Sequence, residues 1–151
     1  MRFTPWMPLA VALLLVACSN EGQVPTAYIC DGEEQLAKGE AKSGEAPQSR
    51  QNVTNLPAGL ERSFKDKPKF FSIETKLAGP LRGKYCGDSA KGDFIFRPGD
   101  CTNYLDLIAF HAEENELIIH LPVQKDRPDE YQASFTCRIK DAPKDVPKSA
   151  K

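Results

Sequence analysis

The sequence predicts a mainly β domain: a small antiparallel barrel or sandwich with a long irregular insert and two disulfides. Three observations point there. From Lys69 onward, apolar and polar residues alternate with period two in several short runs, as half-buried strands do. Two of these runs, 105–112 and 116–123, flank Glu113-Glu114-Asn115 and read as a hairpin. Four cysteines (Cys30, Cys86, Cys101 and Cys137) remain once Cys18, which directly follows the N-terminal leader, is set apart, and an even set in an exported chain suggests two staples.

The 151-residue chain is long enough for one domain. Residues 1–17 read as a secretory signal, with a positive start at Met1-Arg2, an unbroken apolar stretch at 9–16 and a small Ala17. That stretch falls well short of the roughly 20 residues a membrane span needs. Leu15-Val16-Ala17-Cys18 resembles the lipobox of bacterial lipoproteins. The resemblance implies a diacylglyceryl group on the Cys18 thiol, cleavage before Cys18 and acylation of the new amine. Two or more acyl chains anchor a protein stably, where one holds it only marginally at about 0.8 kcal/mol per buried CH₂. Serine rather than aspartate follows the cysteine, which under the same resemblance implies the outer membrane, facing the periplasm. Loss of Arg2 with the leader leaves 19 basic against 21 acidic side chains. A net charge near −2 gives no attraction to nucleic acid. Trp6, the one tryptophan, also leaves with the leader.

The mature chain reads in order as follows. Residues 18–26 carry the lipidated cysteine and a polar tether, and eight extended residues reach roughly 25–30 Å. Tyr28-Ile29-Cys30 opens the β-rich domain, 27–141, as a short strand ended by an Asp31-Gly32 turn. Residues 33–68 read as the irregular insert. A helical start at 33–42 is weakened by Gly39, and Pro57 suits the first position of a short helix over 57–64. Asn52-Val53-Thr54 matches a glycosylation sequon, which a bacterial lipobox renders coincidental. In the strand at 70–77, Phe71, Ile73, Thr75 and Leu77 share one face, and Gly79-Pro80 ends it. Short strands follow at 84–86 and 92–97, the latter with Phe94 and Phe96 on one face. Arg97-Pro98-Gly99-Asp100 has the Pro-Gly centre of a type II turn. Within the hairpin, Asn115 tolerates the left-handed backbone of a tight loop. The last strand, 131–140, turns Tyr131, Ala133, Phe135, Cys137 and Ile139 inward. Residues 142–151, rich in proline and lysine, form a disordered tail.

Counting alone allows three pairings of four cysteines. Their strand positions favour Cys30–Cys137, closing the sheet between its terminal strands, and Cys86–Cys101, tying the strands that flank Phe94. No CxxC pair marks a zinc site, and no cofactor is expected. His111 and His120, the only histidines, are candidate diagonal neighbours across the hairpin, but no further ligand completes a metal set. HExxH, GxSxG and P-loop patterns are absent, and Ser89, beside Asp88 and Lys91, lies in a turn-like stretch, so the chain is not expected to be an enzyme. Charge clusters are the better lead. Glu113, Glu114 and Glu116 crowd the hairpin tip, and Asp126, Asp129 and Glu130 crowd the next loop. Placed at one end of the sheet, they make an acidic rim for a cationic protein partner. Arg62, Lys65, Lys67 and Lys69 form a basic stretch elsewhere.

TAYICDG near the start and SFTCRI near the end resemble the periplasmic lipoprotein inhibitors of c-type lysozyme. The resemblance covers about a dozen residues and implies a small disulfide-tied β-barrel with a cysteine in each terminal strand. That family's central inhibitory loop is not recognisable here, and Lys91-Gly92 alone does not carry it over. The expected function is a lipid-anchored, non-catalytic protein-binding domain in the periplasm, acting as an inhibitor or immunity factor against an envelope-degrading enzyme. The alternative is a structural or assembly component of an envelope complex.

Overall fold

A computed structural model describes residues 25–39 and 48–141. The leader, Cys18, most of the tether and the expected disordered tail at 142–151 lie outside the described residues. Eight strands follow one another as β1 (Thr26–Lys38), β2 (Gln48–Arg62), β3 (Pro68–Glu74), β4 (Pro80–Asp88), β5 (Phe94–Arg97), β6 (Leu107–His111), β7 (Glu116–Leu121) and β8 (Asp129–Ile139). Each pairs antiparallel with the next, and β8 returns to β1 to close a barrel. Closure removes the free edges that invite aggregation.

The alternation read from the sequence fills the interior, except at Ile139, expected to face inward but 49% exposed at the end of the last strand. Phe71 and Ile73 of β3, Phe96 of β5, Ile108 and Phe110 of β6, Leu117, Ile119 and Leu121 of β7, and Tyr131, Phe135 and Cys137 of β8 are all buried. The ring centroid of Phe71 lies 5.6 Å from that of Phe96 and 5.4 Å from that of Phe110. Tyr28 meets Phe110 edge-on at 5.2 Å, within the favoured range for aromatic pairs. An eight-stranded barrel is just wide enough for side chains to fill, and these rings fill it.

Cys30 lies directly opposite Cys137 in the β1–β8 ladder, and the two are bonded. Cys86 is bonded to Cys101. The first bridge locks the seam that closes the barrel, and the second pins the β5–β6 loop to β4. Gly99 has φ 82°, as the third position of the expected type II turn requires. Asn115 is left-handed in the hairpin loop, at φ 56°.

The irregular insert is a correction. Residues 33–38 continue β1, and 48–62 form β2, the longest strand. Asp31-Gly32 is no turn but a bulge, where the β1–β2 register shifts between Cys30 and Gly32. Asp31 holds it. Its carboxylate accepts from the Asn55 amide at 2.6 Å and from Arg138 at 2.6 Å, while Asn55 is left-handed at φ 58°. Gly32 is required at this point, because a Cβ there would stand 2.1 Å from the Ser134 carbonyl oxygen. The helix expected at 57–64 is also strand, with Leu56, Ala58 and Leu60 buried on alternate positions. Pro57 is tolerated because the β2–β3 ladder starts only at Ala58, so no partner on that side needs its missing N–H.

Candidate functional site at the far rim

In an up-and-down barrel successive loops alternate between the two ends. The N-terminus at Thr26, the β2–β3 loop, the β4–β5 loop and the β6–β7 loop share one end. The β3–β4, β5–β6 and β7–β8 loops share the other, the far rim. Topology therefore splits the expected acidic rim. Glu113 and Glu114 are exposed in the β6–β7 turn at the N-terminal end, with Glu116 starting β7 beside it, whereas Asp126, Asp129 and Glu130 stand at the far rim. The two histidines share the outer face but not a site. His111 pairs with Glu116 and His120 with Leu107, four ladder positions apart, or roughly 13 Å at 3.3 Å per residue. Among the described residues no cluster of three or more metal-ligating side chains forms.

Each histidine has its own carboxylate. The Nδ1 atom of His111 is hydrogen-bonded to Asp93, whose other oxygen accepts from the Ser89 hydroxyl at 2.9 Å. That bond raises the His111 pKa above its ordinary value and lowers that of Asp93. The carboxylate sits between serine and imidazole, so His111 is not placed to take a proton from Ser89, as nucleophile activation requires. His120 Nε2 lies 2.9 Å from Glu130.

The far rim holds what sequence reasoning missed. Asp106 is buried just before β6, 1% exposed, and its carboxylate accepts four hydrogen bonds. Arg127 donates two, to Oδ1 at 2.5 Å and Oδ2 at 2.9 Å. Gln124 donates to Oδ1 at 2.7 Å, and Asn103 to Oδ2 at 3.1 Å. The bidentate ion pair, the strongest form of such a contact, joins the β5–β6 loop to the β7–β8 loop and raises the Arg127 pKa further. Arg97 of β5 adds bonds to the carbonyl oxygens of Asp106 at 2.5 Å and Asn103 at 3.2 Å. At the loop's start, Asp100 accepts from the amide and hydroxyl of Thr102, and Cys101 is tied to β4.

These bonds hold apolar side chains out in water. Tyr104 is 78% exposed, Leu105 62% and Val123 49%. The Arg97 guanidinium stands 5.4 Å from the Tyr104 ring centroid. Residue 105, read as the start of a strand, is instead a loop residue at the rim. Beside it opens a cavity of about 290 Å³, lined by Leu36, Leu77, Leu81, Leu121, Tyr131 and Arg127 among others. A second buried carboxylate underlies this mouth. Glu34 accepts from the Lys76 amide at 2.9 Å, the Tyr131 hydroxyl at 2.8 Å and Gln51 at 3.2 Å. Burial, and then the bond to Glu34, push the Tyr131 pKa far up, so this hydroxyl stays protonated as a donor.

Both buried carboxylates are thus engaged in holding loops. The rim combines stiffness with exposed apolar and aromatic side chains, the composition of protein-docking surfaces. No family model, no curated protein and no solved structure matches the chain.

Proposed function

We propose that this chain is a lipid-anchored protein of the bacterial envelope whose barrel is a non-catalytic protein-binding module, restraining an enzyme that degrades that envelope. The observation that carries the reading is the far rim, where Tyr104, Leu105 and Val123 are held in solvent by the buried Asp106–Arg127 brace. Rigid loops lose little freedom on binding, which favours affinity, and the cavity at the same end, with leucine walls and Asp126, Arg127 and Asp129 at its lining, suits insertion of a partner's side chain. The lipobox resemblance supports the anchor. The domain's N-terminus emerges at the end opposite the rim, so a tethered barrel would turn the rim away from its own membrane. The acidic tip at Glu113, Glu114 and Glu116 is then not the contact surface.

Clearing of a peptidoglycan suspension by c-type lysozyme, the enzyme class that the sequence resemblance suggests, tests inhibition. The chain is expected to slow clearing, Leu105→Asp to abolish the effect and Glu114→Lys to leave it intact. Clearing that ignores the chain, or inhibition untouched by Leu105→Asp, contradicts the proposal. The mass of the Cys18 peptide from native membranes reads the anchor separately.

A further inference from the structure

We infer that the β2–β3 loop is a membrane-contacting element that seats the barrel on an anionic bilayer surface. Phe64 is 97% exposed at the tip of this loop. The loop is nonetheless ordered. The Ser63 amide donates to the Lys67 carbonyl at 2.7 Å, the Asp66 amide donates to Ser63 at 2.9 Å, and Arg62 donates to the Asp66 carbonyl at 3.1 Å. Asp66 takes the left-handed backbone, φ 59°, that closes the turn. Built hydrogen bonds thus hold a large aromatic ring entirely in water, which is costly unless another apolar phase receives it. Phe70, by contrast, is covered by the Arg82 guanidinium at 3.8 Å.

The surroundings indicate the receiving phase. Lys65, Lys67 and Lys69 are exposed around Phe64, and Arg62 lies 3.7 Å from Asp66, offsetting its charge. Four cations against one carboxylate give residues 62–69 a net charge of +3. An aromatic ring among lysines matches the boundary between lipid headgroups and acyl chains, where rings insert and ammonium groups meet anionic phosphate. The loop shares its barrel end with Thr26, where the chain arrives from the tether. Diametrically across that end stands the acidic turn with Glu113 and Glu114. An anionic surface repels that wall and attracts this one, so the barrel tilts onto Phe64.

The inference rests on the tethered reading, and one experiment separates the two. Phe64→Trp in a Trp6→Phe background gives the full chain a single indole. Vesicles of phosphatidylcholine with about one-third phosphatidylglycerol supply the anionic surface, and brominated acyl chains quench any indole that reaches them. The Phe64→Trp emission is expected to shift to the blue and be quenched, more strongly than in vesicles of phosphatidylcholine alone. Tyr104→Trp, at the opposite end, is expected to stay unquenched. Adding Lys65→Gln and Lys67→Gln is expected to weaken the contact about fivefold for each cation lost. An indole at 64 that keeps its aqueous emission on anionic vesicles, or that quenches no more than one at 104, overturns the inference. The mass of the Cys18 peptide from native membranes reads the anchor independently. A chain whose Cys18 carries lipid but whose indole stays unquenched retains the tether and loses the loop contact. Quenching in a chain whose Cys18 carries no lipid retains the contact and loses the tether.

Discussion

Replacing Asp106 by alanine removes the acceptor that joins two rim loops. Four hydrogen bonds are lost at once, two of them from the Arg127 guanidinium. Breaking a buried pair from one side costs about 3–5 kcal/mol, chiefly because the surviving charge is stranded. The Arg127 side chain is 30% exposed while that of Asp106 is 2% exposed, so the freed guanidinium recovers part of its hydration. The expected loss is therefore at the lower end, about 3 kcal/mol. For a domain of this size that is roughly a 10–15 °C fall in Tm, at several degrees per kcal/mol. Guanidinium denaturation followed by circular dichroism reads the loss as a lower midpoint with an unchanged slope. Adding Arg127→Ala removes the stranded charge, so the double variant should be at least as stable as Asp106→Ala alone, a coupling of about 3 kcal/mol or more, since Arg127→Ala by itself strands the deeper Asp106 carboxylate. A cost for Asp106→Ala below about 1 kcal/mol, the level of one ordinary hydrogen bond, or additive single losses, refutes the claim that this pair braces the rim.

Other outcomes follow from the same structure. Replacing both Cys30 and Cys137, which close 107 residues, is expected to cost about 4–5 kcal/mol, and replacing the Cys86–Cys101 pair, which closes 15, about 3 kcal/mol; denaturant midpoints should rank them in that order, and the reverse ranking counts against the seam as the principal staple. Because the Asp93 bond raises the His111 pKa in the folded chain, its stabilisation is fully present below the unfolded value near 6.5 and is lost as pH rises through the higher folded value. A pH series of thermal melts from 6 to 9 should show that decline, and His111→Gln should flatten it; an unaltered profile contradicts the assignment. Tyr131→Phe removes one of the donors to buried Glu34 and is expected to cost about 1–2 kcal/mol, read from the same midpoints, whereas an unchanged midpoint would place that hydroxyl outside the network.

What was legible follows from how each signal is encoded. Strands from β3 onward are written as local alternation, and Phe71, Ile73, Phe96, Phe135 and Cys137 fell on the buried face that a two-residue period assigns. The Cys30–Cys137 bridge followed, because cysteines on inward positions of the first and last strands face each other only when the sheet closes; the Cys86–Cys101 bridge was also expected, although Cys101 lies in the β5–β6 loop and not in a strand flanking Phe94. β2 was hidden. Its inward Leu56, Ala58 and Leu60 alternate with Pro57 and Gly59, residues of low strand preference whose cost is offset by pairing along most of β1. The acidic rim failed for a topological reason, since consecutive hairpin loops in an up-and-down barrel face opposite ends, and charge spacing along the chain carries no record of that. The brace was invisible for a related reason. Asp106 and Arg127 are 21 residues apart in unremarkable loops, and only closure brings them together. Arg97-Pro98-Gly99-Asp100 announced the turn that begins this rim but not what the rim holds.

The most direct test of the central claim, that the far rim and not the acidic tip meets the partner, is photo-crosslinking in intact cells. A photoreactive phenylalanine analogue is placed at position 105 in one strain and at 114 in another. The account predicts a discrete covalent adduct at 105, absent at 114 and lost when Asp106→Ala loosens the loop. Adducts at 114 with none at 105 would contradict it.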